Sequence, residues 1–160
     1  MHIRLIVFLL VALAIYLLLP ACKTPAAYPA TAEVKFLDNP AAGLIRVEAT
    51  GYGTTDKDAE LDVFNTAFNT LLFKGLPGFS ATQKPMLSDE SKARSENAAY
   101  FKKFFTDRGY MQFVTEQNPA VAAGKADDKK NRLARRTFTI NYEALRHDLE
   151  KNKLIRKFGL

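Results

Sequence analysis

A single cysteine, Cys22, and no tryptophan occur in the 160 residues of this chain. One thiol excludes an intramolecular disulfide framework and a cysteine-based zinc site. Two histidines, His2 and His147, leave little for a histidine-rich metal centre. Seven prolines and eight glycines are too few for a collagen-like or low-complexity chain. Acidic residues are in deficit, 17 against 23 lysines and arginines, for a formal charge of +6. What is present is ordinary globular material, 48% apolar and 25% charged. That supports one domain with a real core and is too little for two.

The longest hydrophobic run sits at the start. Arg4 is followed by residues Leu5 to Leu19 without a charge or an amide, and Pro20, Ala21 and Cys22 close the run. A basic start, an apolar stretch and small residues at its exit describe a secretory signal. The run is short of the roughly 20 residues that span a bilayer comfortably. The stretch Leu19-Pro20-Ala21-Cys22 resembles the lipobox of bacterial lipoproteins, with Pro20 where that family usually has Ala, Ser, Thr or Val. The resemblance implies a signal peptide over residues 1–21, cleavage before Cys22, and acylation of the Cys22 thiol and its new amine. Each buried CH₂ adds about 0.8 kcal/mol, and two chains already hold a protein stably. Lys23 stands where retention in the inner membrane would need Asp, and no acidic cluster follows as surface export would need. The expected location is therefore the periplasmic face of the outer membrane.

Removing residues 1–21 takes only Arg4 from the basic count, so the mature chain stays positive. In an exported protein with interspersed charges, nucleic acid is not an expected partner. Anionic head groups, peptidoglycan or an acidic envelope protein suit that charge better.

Residues 22–32 read as the lipidated cysteine and a tether kept semi-extended by Pro25 and Pro29. Residues 33–160 then form a single domain. A short strand over Glu33–Leu37 stops at Asp38-Asn39-Pro40. Leu44–Thr50 alternates, with Ile45, Val47 and Ala49 on one face, which predicts a half-buried strand. Gly51-Tyr52-Gly53 is expected to break it, and Thr55 with Asp58 forms a capping box for a helix over Asp56–Lys74. Leu61, Phe64, Ala67, Phe68, Leu71 and Leu72 make its apolar stripe, and Gly75, Pro77 and Gly78 end it. A second helix is predicted over Asp89–Asp107, N-capped by Ser88 and C-capped by Gly109. Tyr110–Glu116 reads as a strand, Asn118–Asn131 as a long hairpin connection and Arg132–Tyr142 as a strand with Phe138, Ile140 and Tyr142 inward. A charged helix over Glu143–Phe158 closes the chain on a thin stripe of Leu145, Leu149 and Leu154. The fold class expected is α+β in two layers, a small and mainly antiparallel sheet covered by helices, in the order strand-helix-helix-strand-strand-helix.

The stretch Val47-Glu48-Ala49-Thr50-Gly51-Tyr52-Gly53, followed by Asp58, Ala59 and a helix carrying Ala67 and Phe68, resembles a small bacterial envelope domain. That domain is shared by membrane-associated lipoproteins of the twenty-kilodalton family and by the N-terminal domain of flagellar assembly protein T. Its order of strand, Gly-aromatic-Gly turn, alanine-rich helix, insertion and two strands matches residues 44–142 here, with Phe64, Phe68 and Phe73 in place of much of the alanine. The resemblance implies assembly or scaffolding in the periplasm and carries over no catalytic residue.

Nucleophilic catalysis needs a base beside the nucleophile. After lipidation no thiol is left, and His147 lies among Arg146, Asp148 and Glu150 on a charged helix face. No acidic residue falls in an apolar segment where burial would raise its pKa, and no metal-ligand cluster or cofactor motif is present. Gly51-Tyr52-Gly53 lacks the third glycine of a phosphate cradle, since Asp56 stands in that place and repels phosphate. Tyr52 is expected to pack under the helix that follows, with service as a contact residue the other reading. The function expected is a non-catalytic, lipid-anchored envelope protein that binds another envelope component. Tyr52, Lys74, Arg135 and Arg136 are the candidate contacts. A small periplasmic hydrolase acting on cell-wall or lipid material is the alternative.

Overall fold

A computed structural model of the chain describes residues 34–78, 84–118, 121–125 (backbone) and 132–156. The expected acylation site Cys22, the expected signal and tether segments, the charge cluster 127–130 and Phe158 lie outside the described residues.

Strand β1 (Val34–Asp38) and strand β2 (Leu44–Gly53) form an antiparallel pair with Val34 opposite Ala49 and Phe36 opposite Val47. Strand β5 (Arg132–Asn141) lies on the other side of β2, in unbroken antiparallel register from Leu44 opposite Asn141 to Gly53 opposite Arg132. Beyond β5 come β3 (Val114–Gln117) and β4 (Val121–Lys125). Val114 faces Ile140 and Val121 faces Arg135, so β3 and β4 run in line along one edge of β5. The five strands thus make a sheet four strands wide, and the architecture is α+β in two layers. The connection expected over Asn118–Asn131 contains β4, because Val121, Ala122 and Lys125 pair with Arg135, Ala134 and Arg132 along the edge of β5.

Helix α1 (Asp56–Asn69) starts where Thr55 Oγ1 accepts the Asp58 N–H at 3.1 Å, and Asp58 returns the contact by accepting the Thr55 hydroxyl at 2.8 Å. The hydroxyls of Thr55 and Thr54 hold the Asp58 carboxyl below its usual range. Ala59, Val63, Phe64, Ala67 and Phe68 are the buried face of α1. A π turn over Thr70–Lys74 extends the helix, closed by the Gly75 N–H on Thr70 O at 2.8 Å. Gly75 holds φ at +82°, a backbone angle that an L side chain rarely adopts.

The second helical stretch is divided rather than continuous. Helix α2 (Glu90–Glu96) is capped by the Asp89 side chain on Lys92 N, not by Ser88. Asn97 leaves helical angles, and α3 (Ala98–Phe101) passes into a π turn over Lys102–Thr106. Arg108, not Gly109, takes the left-handed angle after it, at φ 59°. Gly109 has another duty: a Cβ there would lie 2.9 Å from Lys103 O, so the close return of the chain needs glycine. A 3₁₀ turn over Gly109–Phe113 replaces the first part of the expected strand and buries Tyr110 and Phe113. Tyr142 begins helix α4 (Tyr142–Lys151) instead of ending β5, because Asn141 caps it through Ala144 N at 2.9 Å. The helix is shorter than expected, ending well before Phe158.

One core joins all of this. Phe64 meets Phe138 at 4.8 Å between centroids, Phe68 meets Tyr110 at 5.3 Å, and Phe68 meets Phe104 edge-on at 5.6 Å. Such aromatic pairs contribute about 0.5–1.5 kcal/mol each beyond their burial. Leu145 and Leu149 of α4 close the same core, both fully buried.

Candidate functional site

Strand alternation gives the sheet two chemically different faces. Ile45, Val47, Ala49, Gly51 and Gly53 of β2 face α1, as do Ile140, Phe138, Arg136 and Ala134 of β5, which stand opposite the first four. At Gly51 a Cβ would lie 2.2 Å from Val63 N, and at Gly53 2.3 Å from Ala59 N. The two glycines therefore do not break the strand; they let the backbone of α1 rest against it. Tyr52 lies between them and projects to the opposite face, so it does not pack under the helix. Its backbone N–H donates to Asp62 Oδ2 at 2.9 Å.

The outer face carries Arg46, Glu48, Thr50 and Tyr52 on β2, opposite Thr139, Thr137, Arg135 and Leu133 on β5. Arg46 pairs with Asp38 at 3.1 Å, and the buried Thr139 hydroxyl donates to Glu116 at 3.2 Å. Arg135 is exposed and has no ion-pair partner among the described residues. Tyr52 is half-buried and diagonal to Arg135 across the two strands, within reach of a common ligand.

The other two candidate contacts do not join them. Arg136 is on the helix side, where its guanidinium lies over the Phe64 ring at 5.5 Å, donates to Gln117 at 2.9 Å and approaches Glu60 at 3.6 Å. With Arg132 beside Asp56 at 3.5 Å, it straps β5 to α1. It is occupied structurally. Lys74 is exposed at the far end of the helical run, 12 residues beyond Asp62, which at 1.5 Å per residue is about 18 Å away. His147 is exposed on α4, 3.7 Å from Glu150.

Two polar arrangements were not legible in the chain. Asp62 is half-buried on α1, and burial pushes its carboxyl above the usual range while the Tyr52 N–H and the Thr66 hydroxyl partly oppose the shift. This acid corrects the expectation that burial raises none, and its partners show a structural use. The second arrangement is a cleft of about 220 Å³ between the α3 end and α4. Tyr100, Lys103 and Phe104 line one wall, and Asp148, Lys151 and Asn152 the other, each at spacing i, i+3, i+4. The Tyr100 hydroxyl donates to Asp148 Oδ2 at 2.7 Å, and Asn152 Nδ2 to Asp148 Oδ1 at 3.3 Å. Burial and the neighbouring carboxylate push the Tyr100 phenol far above its ordinary range. The matching triplets are visible in the sequence, but nothing there says that the two helix faces meet.

Among the described residues, no group of three metal-ligating side chains occurs and no helix is long and apolar enough to cross a membrane. Comparison with family models, with curated proteins and with solved structures finds no match to this chain.

Proposed function

We propose that the protein is a non-catalytic module of the bacterial cell envelope, anchored by lipid on Cys22 at the periplasmic face of the outer membrane, that binds or helps assemble another envelope component. The anchor rests on the sequence Leu19-Pro20-Ala21-Cys22 at the end of the apolar run. The observation that carries the binding role is the outer sheet face. The core helices gather on one side of the sheet, and on the other side Tyr52 and Arg135, which has no ion-pair partner among the described residues, sit on adjacent strands. An amphipathic aromatic beside an exposed guanidinium suits an acidic protein surface or the carboxylates of peptidoglycan. Asp62 Oδ2 accepts both the Tyr52 N–H and the Thr66 hydroxyl, which gives that oxygen a structural use.

Two measurements test the proposal. Cys22→Ser is expected to abolish uptake of labelled palmitate and release the protein from membranes; retention with unchanged labelling refutes the anchor. A photo-crosslinker at Arg135 is expected to trap one envelope component in intact cells that the same probe at Arg136 does not trap. Equal or absent yield at the two positions refutes the outer face.

A further inference from the structure

The geometry points to a second site, separate from the outer sheet face: the cleft between α3 and α4 binds the free carboxylate end of a short peptide. Lys103 and Lys151 reach the cleft from opposite walls, both exposed and neither in an ion pair among the described residues. Asp148 is the one acid lining it, and it is already engaged by Tyr100 and Asn152. Two ammonium groups against one carboxylate leave a formal charge of about +1, suited to a single anionic group.

The neutral groups narrow the chemistry. Asn152 spends its N–H₂ on Asp148 Oδ1 and on Asp148 O at 2.8 Å, so its amide oxygen is left as an acceptor. Gln112 is exposed on the cleft edge and offers both a donor and an acceptor. A carboxylate between the lysines, with a peptide N–H four atoms away reaching an amide oxygen, matches this set. A phosphate does not, because its second charge is opposed by Asp148. Tyr100, with the edge of Phe104, is the apolar lining available to the last side chain, and Gly109 adds no side chain there. The volume, about 220 Å³, lies below the roughly 300–1,000 Å³ of a pocket that encloses a drug-sized molecule. It fits a chain end, with the rest of the ligand running out through the mouth.

Such an end comes from a protein C-terminus or from a wall-type peptide ending in a D-residue, and the probes separate them. The full chain in detergent micelles is titrated with L-Ala-L-Ala, D-Ala-D-Ala, the C-terminal amide of each, and inorganic phosphate, with amide resonances of Gly109 and Gln112 as the readout. A free-acid dipeptide is expected to bind at least about tenfold more tightly than its amide. The Lys103→Gln/Lys151→Gln double variant is expected to lose that preference at unchanged melting temperature, and Lys103→Arg/Lys151→Arg to keep it. Preference for the L form assigns the site to a protein terminus, and preference for the D form to a wall peptide. Acid and amide binding alike, phosphate binding as tightly as the dipeptide, no binding of any probe, or full binding by the glutamine double variant each overturn the proposal. None of these results depends on Cys22 or on Arg135, so failure here leaves the anchor and the outer face standing.

Discussion

The backbone N–H of Tyr52 donates to the carboxylate of Asp62 at 2.9 Å, so helix α1 supplies the acceptor for a strand residue that lies past the paired span of β1. Backbone donors near a sheet edge need a partner or water, and here a side chain from the covering helix takes that place. The cost falls on Asp62, whose carboxyl burial pushes above its usual range.

The sign of the pH effect follows from that shift. An acid whose folded pKa exceeds its unfolded value binds protons more tightly when folded, so its contribution to stability is full below about 3.8 and is lost as pH rises through the raised value. Asp62→Asn keeps an oxygen for the Tyr52 N–H and removes the ionisation. Its stability relative to wild type is expected to improve between pH 3.5 and 6.5 in urea melts, a comparison that cancels the other carboxylates. A difference that stays flat, or worsens with pH, contradicts the assignment. Asp62→Ala, which strands the N–H, is expected to cost about 1–3 kcal/mol at pH 3.5 and less at pH 6.5.

Gly51 and Gly53 carry a stronger prediction. An alanine methyl at Gly51 would sit 2.2 Å from Val63 N and 2.5 Å from Ala59 O, both backbone atoms of a packed helix. Neither can swing aside as a side chain can. Gly51→Ala is expected to destabilise by about 3 kcal/mol, the upper end for overpacking, read as the urea midpoint. Tyr52→Ser, one residue on but facing outward, is expected to cost about 1 kcal/mol or less. Equal costs at the two positions would mean that the helix does not rest on this strand.

Arg94 ties helix α2 to the rest of the fold. Its guanidinium lies 4.6 Å from the Phe73 ring centroid, 4.9 Å from Phe105 and 5.6 Å from Phe101, and it pairs with Glu90 at 2.8 Å and donates to Asn69. A flat cation on several rings uses shape as well as charge. Arg94→Lys and Arg94→Gln are both expected to lose about 1 kcal/mol in chemical denaturation. If Lys is as stable as wild type, a point charge suffices and the planar stack contributes nothing.

The sequence was legible where one period governed a segment. Ile45, Val47 and Ala49 alternate without interruption, and the structure buries all three. Phe64, Ala67, Phe68, Leu71 and Leu72 keep helical spacing and fill the core. Reading failed where a residue answers to a neighbour distant in the chain. Gly51 and Gly53 look like a strand breaker because glycine usually is one, yet here they meet α1. Thr139 has an outward position in the alternation and is buried by its contact with Glu116, 23 residues away in sequence. Arg135 and Arg136 look alike as a dipeptide, and only the register of β5 sends one to the outer face and the other to Phe64. The cleft at Tyr100 depends on a contact spanning 48 residues, which no local pattern announces.

The chain end offers the last test, because apolar and basic residues mixed at Leu154-Ile155-Arg156 suit either a docking tail or a closing piece of the core. The structure takes the second side for the residues it describes: Leu154 and Ile155 are half-buried and packed against the core, and the Leu154 N–H bonds to Leu149 O at 2.9 Å. A fully buried aliphatic side chain contributes about 1.5–3 kcal/mol, so two half-buried ones give roughly 2 kcal/mol together. Truncation after Lys153 is therefore expected to lower the melting temperature by several degrees, and Leu154→Ala/Ile155→Ala in the full-length chain to reproduce most of that loss. If the truncated protein melts like wild type, these side chains are not holding the core, and the tail is free to dock elsewhere. If truncation destabilises but the double alanine variant does not, the stabilising contacts come from the Leu154 backbone or from Arg156 and the residues after it.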